Sequence, residues 1–377
     1  MKKKIDERNL TSEAIDLLRF PLAVLVVFVH AYGSAGNYMV DYNNFSSTSL
    51  YALITIIFSH VISHIAVPTF FTISGYLFYK KLEQWNWTIW KQKMRNRWHT
   101  LVVPYFLWCF LFMIWIPIQK LAGVVVKGKP IDGFIEYIHN IPWLHGFWDS
   151  SVWGGTTINW LGEYAAHNTG PMLVPFWFLR DLMVVVLLTP IIYWLLKKLG
   201  GYFVAMMALF YISGIWPDIH GLRSTSLFFF SFGAWFSLQG KDICQTLFTH
   251  RWKFYIPFLI LLPIITYMDE KQTYGGKSVF IIFGVLSYFC FSFYLVKQGM
   301  RKSRTLVGSC FIVYAFHNFI LAKAGSLFTK LIGDSNGFQL IAVYICKVAL
   351  VIGICILLSE CINRYLPRLK RYLTGGR

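Results

Sequence analysis

Arg19 and His30 are the residues whose types and spacing point first to chemistry. Both lie in one apolar run, IDLLRFPLAVLVVFVHAYG, that begins at Ile15. On a helix, residues eleven apart return to within roughly 20° of one face and stand about 16 Å apart along the axis. Asp16 precedes Arg19 by one turn, within side-chain reach on the same helix. An ionisable group inside a membrane-length apolar run is costly and faces a cavity, a partner or a substrate path. Histidine, whose ordinary pKa is about 6.5, is the usual base for taking a proton from a hydroxyl. Arginine stays charged, which suits it to an anion or to Asp16 and not to proton transfer.

Other polar groups stand at intervals along the chain. Lys93, Arg95 and Arg97 form, with Lys91, a cationic cluster that either binds phosphate or enforces topology. Trp177, Arg180 and Asp181 follow a long insert and are placed to reach an acceptor; Arg180 and Asp181, being adjacent, point about 100° apart and are expected to have separate partners. His317 lies inside a late apolar run, where it contacts substrate or makes an interhelical hydrogen bond. His60 and His64 share a helical face, but the local sequence offers no acidic or thiol partner, so a polar cavity wall is favoured over a metal site. No metal is expected. Lys347, also in an apolar run, reaches Glu360 only if the two belong to different layers of a bundle. Gly75, beside Ser74, permits close helix approach. No GxSxG elbow frames a serine nucleophile.

These residues need membrane helices to position them. The chain has 377 residues, 56% hydrophobic, 19% aromatic and only 14% charged, with apolar runs of membrane length recurring throughout. The expected fold is all-α, a polytopic bundle of about ten transmembrane helices. The expected spans are 14–33, 50–79, 98–119, 174–196, 201–217, 222–239, 254–268, 278–296, 305–328 and 338–362, the second tilted or broken near Pro68 and the ninth kinked or partly re-entrant. Basic residues alternate between loops, one side outnumbering the other about three to one, which puts both termini in the cytoplasm. The net charge of +18 then reflects topology and contact with anionic membrane lipids, and a nucleic-acid partner is not expected. The basic start of the chain is followed by Asp6, Glu7, Asp16 and Arg19 without a cleavage site, so the first span is expected to remain. The seven cysteines fall in spans or on the cytoplasmic side, away from any expected disulfide.

The expected organisation is a single integral membrane domain over 1–377, without an appended soluble domain. Its extracytoplasmic insert, about 120–173, interleaves Trp143, Trp148, Trp153, Trp160, Phe147 and Tyr164 with Asp149, Glu163, His139, His145, His167, Asn159 and Asn168. Rings beside hydrogen-bonding groups suit a sugar or headgroup, and a membrane-interface belt is the plainer reading for any single Trp.

Asp16, Arg19 and His30 in their run resemble the first helix of the acyltransferase-3 family, whose signature there is a basic residue, ten positions, then histidine. Four further segments follow that family's order: PTFFTISGYLFYKK from Pro68, KMRNRWHTLVVPYFLW from Lys93, PFWFLRDLMVVVLLTP from Pro175 and FIVYAFHNFI from Phe311. The resemblance covers essentially the whole chain. It implies a bacterial cytoplasmic-membrane enzyme that moves an acyl group, usually acetyl, from cytoplasmic acyl-CoA (acetyl-CoA) to a carbohydrate or lipid-linked glycan. A separate extracytoplasmic acyl-transfer partner is an alternative recipient. Together with the chemistry above, it assigns His30 as base with Arg19 and Asp16 beside it. Arg19, Lys93, Arg95 and Arg97 go to the donor, and Trp177, Arg180, Asp181 and His317 to the acceptor. The rival class is a proton-coupled transporter or glycan exporter; such proteins commonly show two related halves, and none are visible here.

Overall fold

The computed structural model describes residues 7–31, 39–80, 82, 84–128, 130–140, 143–149, 170–217, 219–271, 276–332 and 336–376. Trp153, Asn159, Trp160, Glu163, Tyr164, His167 and Asn168 of the insert lie outside them. The described residues are helical throughout, without strands, in two compact units. The first comprises Met1–Trp85, Thr189–Trp216 and Ser224–Arg364; the second comprises Asn86–Leu188, Pro217–Arg223 and Tyr365–Arg377.

In the first unit α1 (Glu7–Ala31) runs unbroken through the positions of Asp16, Arg19 and His30. A second span combines α2 (Ser47–Thr55), a π-helical segment Ile56–Val61, a 3-10 turn Ile62–Ile65 and α3 (Ala66–Tyr79). The irregular stretch ends just before α3, whose third residue is Pro68. A proline in the first turn of a helix loses no intrahelical bond, so the break falls ahead of it and not on it.

The second unit contains α4 (Trp87–Arg97), a π-helical turn Trp98–Val102, α5 (Val103–Lys127), α6 (Asp132–Asn140) and α7 (Trp177–Leu187). The chain returns to the first unit with α8 (Thr189–Leu199), α9 (Gly201–Ser213), α10 (Ser224–Leu238), α11 (Ile243–Thr249), α12 (Trp252–Glu270), α13 (Lys277–Lys297), α14 (Arg304–Ile332) and α15 (Gly337–Tyr365). Helix α16 (Pro367–Thr374) completes the second unit, where Trp108 Nε1 donates to the Leu373 carbonyl at 2.9 Å.

Seven helical stretches are long and apolar enough to cross a membrane, and Val174–Leu187 with Thr189–Leu199 makes an eighth if the two are one span. At the remaining two expected spans stand the shorter apolar helices α9 and α10, of 13 and 15 residues, so seven or eight of the ten expected spans are long enough among the described residues. Two details differ from expectation. The ninth span is one continuous helix, Arg304–Ile332, and not re-entrant. The expected span 174–196 is interrupted at Leu188, because Pro190 has no N–H for the helical bond to Val186.

Burial ranks the helices of the first unit. The apolar window of α13 is 61% buried and that of α12 only 11%, so α13 belongs to the interior and α12 to the rim. Helix α1 packs against α13, α14, α3 and the 3-10 turn. Helices α3 and α10 cross at reciprocal glycines: a Cβ on Gly75 would stand 2.0 Å from the Phe230 carbonyl oxygen, and one on Gly233 would stand 2.0 Å from that of Thr72. Small residues that let backbones touch are a main source of helix association in membranes. Gly75→Ala and Gly233→Ala are each expected to cost about 1–3 kcal/mol through overpacking and to lower the thermal midpoint in detergent. Gly353→Ala, with nothing within 4 Å of its added carbon, is the matched control; equal midpoints for all three would refute the crossing.

Candidate functional site

His30 occupies the last turn of α1, and its ring lies 5.4 Å, centroid to centroid, from that of His317 on α14. His317 is fully buried, and its Nδ1 is 2.9 Å from the Val313 carbonyl. A carbonyl only accepts, so Nδ1 carries the proton and Nε2 is left as an acceptor. That Nε2 has no hydrogen-bond partner among the described residues. Two imidazoles therefore stand together inside the first unit, one of them with its tautomer fixed by its own helix.

The backbone around His30 is held by side chains. Tyr344 and Ser59 hydroxyls are 2.6 Å apart, and Ser59 donates to the Phe28 carbonyl at 2.6 Å. Since Ser59 donates its proton to Phe28, the Tyr344 hydroxyl donates to Ser59. Lys347 Nζ donates to the Ala31 carbonyl at 2.8 Å. Carbonyls in the last turn of a helix lack intrahelical donors, and a lysine suits the negative end of the helix dipole. Lys347 and Glu360 stand on the same helix, thirteen residues apart, so the condition for their pairing is not met and the lysine finds the Ala31 carbonyl instead. Ala23, Val27 and Ala31 pack with Val313, Leu321, Tyr344, Val348 and Val351 in one apolar cluster, so α14 and α15 fix the height and rotation of α1.

Asp16 and Arg19 pair at 3.0 Å. Asp16 also takes Lys302 Nζ at 2.5 Å, and Arg301 reaches Glu13 at 2.7 Å. Two cations thus share one carboxylate, and Arg19 keeps 35% of its side chain exposed. Lys302 and Arg301 lie in the connection before α14, nearly three hundred residues from α1, and no local pattern marks them as partners.

The second unit holds the remaining expected site residues. Lys93 and Arg97 are half-buried and one turn apart on α4, while Arg95 is exposed. Arg180 and Asp181 do pair, contrary to expectation: Nε and Nη2 lie 3.1 and 3.0 Å from Asp181 Oδ1, with both side chains fully buried. The long arginine folds back across the angle between neighbouring positions, because burial without a counter-charge costs more than bending the side chain. Arg180 Nη1 also donates to the Trp148 carbonyl at 2.7 Å, and its guanidinium stands 5.5 Å from the Trp148 ring. Arg223 approaches Asp181 at 3.8 Å and stands 4.6 Å from the Trp177 ring. His220 contacts Asp149 at 2.8 Å. Trp177, Arg180 and Asp181 therefore belong to one network that ties Trp148 of the insert, and Arg223 before α10, to α7.

Sequence reasoning missed one cluster in the first unit. His60 Nδ1 is 3.0 Å from Asp269 Oδ2, and Lys277 Nζ is 2.8 Å from Asp269 Oδ1. The carboxylate partner that His60 lacks locally is supplied by the end of α12, more than two hundred residues away.

Comparison with known proteins gives a consistent family. The family model described as an acyltransferase domain, acyltransferase-3, matches residues 12–360. The succinoglycan biosynthesis protein ExoH of Rhizobium meliloti (strain 1021) is 27% identical over 242 residues, a match covering 62% of this chain and 55% of that protein. The matched region thus spans about half the length of that curated relative. No solved structure matches.

Arg180→Met leaves the Asp181 carboxylate buried without its nearest cation. The expected loss is about 3–5 kcal/mol, seen as a lower thermal midpoint, part of it recovered in the double variant with Asp181→Leu. A midpoint equal to that of the unaltered protein would show that this pair does not hold the second unit together.

Proposed function

The chain belongs to the acyltransferase-3 family, and on that premise we propose that it transfers an acyl group, acetyl the leading candidate, from cytoplasmic acyl-CoA to a hydroxyl of a cell-envelope or exported carbohydrate. The membrane in this reading is a bacterial cytoplasmic membrane, crossed several times with both termini inside. The similarity to a succinoglycan biosynthesis protein supports a polysaccharide or lipid-linked glycan as acceptor. A separate extracytoplasmic protein as first recipient is the variant of the same reading.

The observation that carries the proposal is the His30–His317 pair at the end of the stripe that starts with Asp16 and Arg19. His30 takes the proton of the acceptor hydroxyl as its oxygen attacks the thioester carbonyl. The tetrahedral intermediate then expels the CoA thiolate as the C–S bond breaks, and His30 returns the proton to the thiolate. His317, with Nδ1 committed to Val313, offers only an acceptor nitrogen. It orients a donor N–H or O–H beside His30 without competing as an acid. At the other end of the stripe Arg19, Arg301 and Lys302 gather around Asp16 and Glu13, a charge pattern suited to the phosphates of CoA. Lys93, Arg95 and Arg97 are the second candidate anion site.

Removal of a general base typically costs about 10²–10⁴ in rate. Purified protein in nanodiscs, supplied with acetyl-CoA labelled in the acyl group and a crude envelope-glycan fraction, is expected to release CoA and label the glycan. His30→Ala is expected to lose at least about a hundredfold in both while eluting as the unaltered protein does. A fully active His30→Ala would remove His30 from the mechanism, and failure of the unaltered protein to bind acetyl-CoA would remove the proposal.

A further inference from the structure

His64 combines two properties that are rarely found together. It lies within electrostatic reach of His30, His60, Asp269 and Lys277. Yet its own surface is exposed, while its neighbours Ser63 and Ile65 are buried. Accessible imidazole surface among these groups points to a polar cavity. The polar groups bordering that cavity run in sequence, from the His30–His317 pair through His64 to the His60–Asp269–Lys277 cluster.

The backbone gives an independent sign. His60 and His64 sit on the π-helical and 3-10 stretch that interrupts the second span. Irregular backbone at membrane depth is tolerated where it is packed in protein or lines a water-filled cavity, and π-helical segments recur at functional sites. Here one side of the stretch is packed tightly, since a Cβ on Gly284 of α13 would stand 2.4 Å from Ile65 Cδ1. The histidines occupy the open side.

The outer end carries aromatic rings. Tyr42 and Tyr267 stand 5.8 Å apart, 48% and 54% exposed, and Lys271 Nζ lies 5.6 and 5.8 Å from their centroids. Tyr267 and Asp269 share the last turns of α12, so the rings and the cluster belong to one end of the first unit. Rings beside a carboxylate, ammonium groups and imidazoles make a surface matched to sugars, which present C–H faces to rings and hydroxyls to polar groups.

We propose that His60, His64, Asp269 and Lys277 line a water-filled channel running from the Tyr42–Tyr267 rings to His30, and that the hydroxyl-bearing end of a carbohydrate acceptor enters by it. Asp269 accepts from sugar hydroxyls while His60 and Lys277 hold it in place, and His64 hands the hydroxyl on towards His30. The assignment of the ligand rests on the acyltransferase reading; the channel does not.

The channel is tested by accessibility to water-soluble reagents. In a background with exposed Cys346 and Cys361 changed to Ser, Lys277→Cys, His64→Cys and Ile264→Cys are treated in nanodiscs with a charged methanethiosulfonate. His64→Cys is expected to react within about tenfold of Lys277→Cys, and Ile264→Cys, exposed on the apolar rim of α12, at least about a hundredfold more slowly, because the thiolate is the reactive form and needs water. Carbethoxylation of the unaltered protein, read by mass spectrometry, avoids substitution altogether: His64 is modified and His317 is protected. A His64 as inert as Ile264→Cys in the first experiment, or as His317 in the second, overturns the channel. For the ligand, Tyr267→Ala is expected to raise the KM for the glycan fraction at least tenfold, with a smaller change in kcat and none in the KM for acetyl-CoA. An unchanged glycan KM overturns the carbohydrate assignment. If the unaltered protein labels no glycan, the acyltransferase reading fails while the accessibility result still decides the channel.

Discussion

A polar group inside a lipid bilayer has no water to return to, so its partner has to come from the protein. Helix α1 carries this constraint furthest, with a carboxylate, a guanidinium and an imidazole along one otherwise apolar helix. Asp16 and Arg19 satisfy each other and draw in Lys302 from the connection before α14. The last-turn carbonyls are met by Ser59 from the second span and Lys347 from α15, and the Ala14 carbonyl by Ser292 from α13. Each of these bonds from outside α1 comes from a different part of the chain, so satisfying the polar groups of α1 also fixes which elements surround it.

That arrangement sets what the His30 region can do. A ring in the last turn of a helix moves with any fraying of that turn, and the Phe28 and Ala31 anchors suppress it on either side of His30. The apolar cluster around it closes against α14 and α15, while the second span departs from α-helical geometry at the stretch that carries His60 and His64.

The network around Arg180 shows the same constraint serving a different end. Its guanidinium is fully buried, and Asp181, the Trp148 carbonyl and the Trp148 ring together occupy it. Replacing an intact buried pair is often neutral, whereas breaking one is expensive. Such a network therefore holds Trp148 of the insert against α7 in one arrangement.

The helical class, the spacing of Asp16, Arg19 and His30 on one face, and the close approach at Gly75 were all legible in the sequence, because each depends on residues within a few turns of one another. Helical periodicity and hydrocarbon thickness decide such features locally. The partners were not legible. Nothing near His60 announces Asp269, nothing near Lys347 announces the Ala31 carbonyl, and adjacency argued against the Arg180–Asp181 pair that burial imposes. Nor did the apolar pattern of the second span reveal its change to π and 3-10 geometry. Sequence determines which groups must be satisfied inside the membrane; only the tertiary structure decides which distant group satisfies them, because the cost of leaving a charge unpaired is felt only once the helices have closed around it.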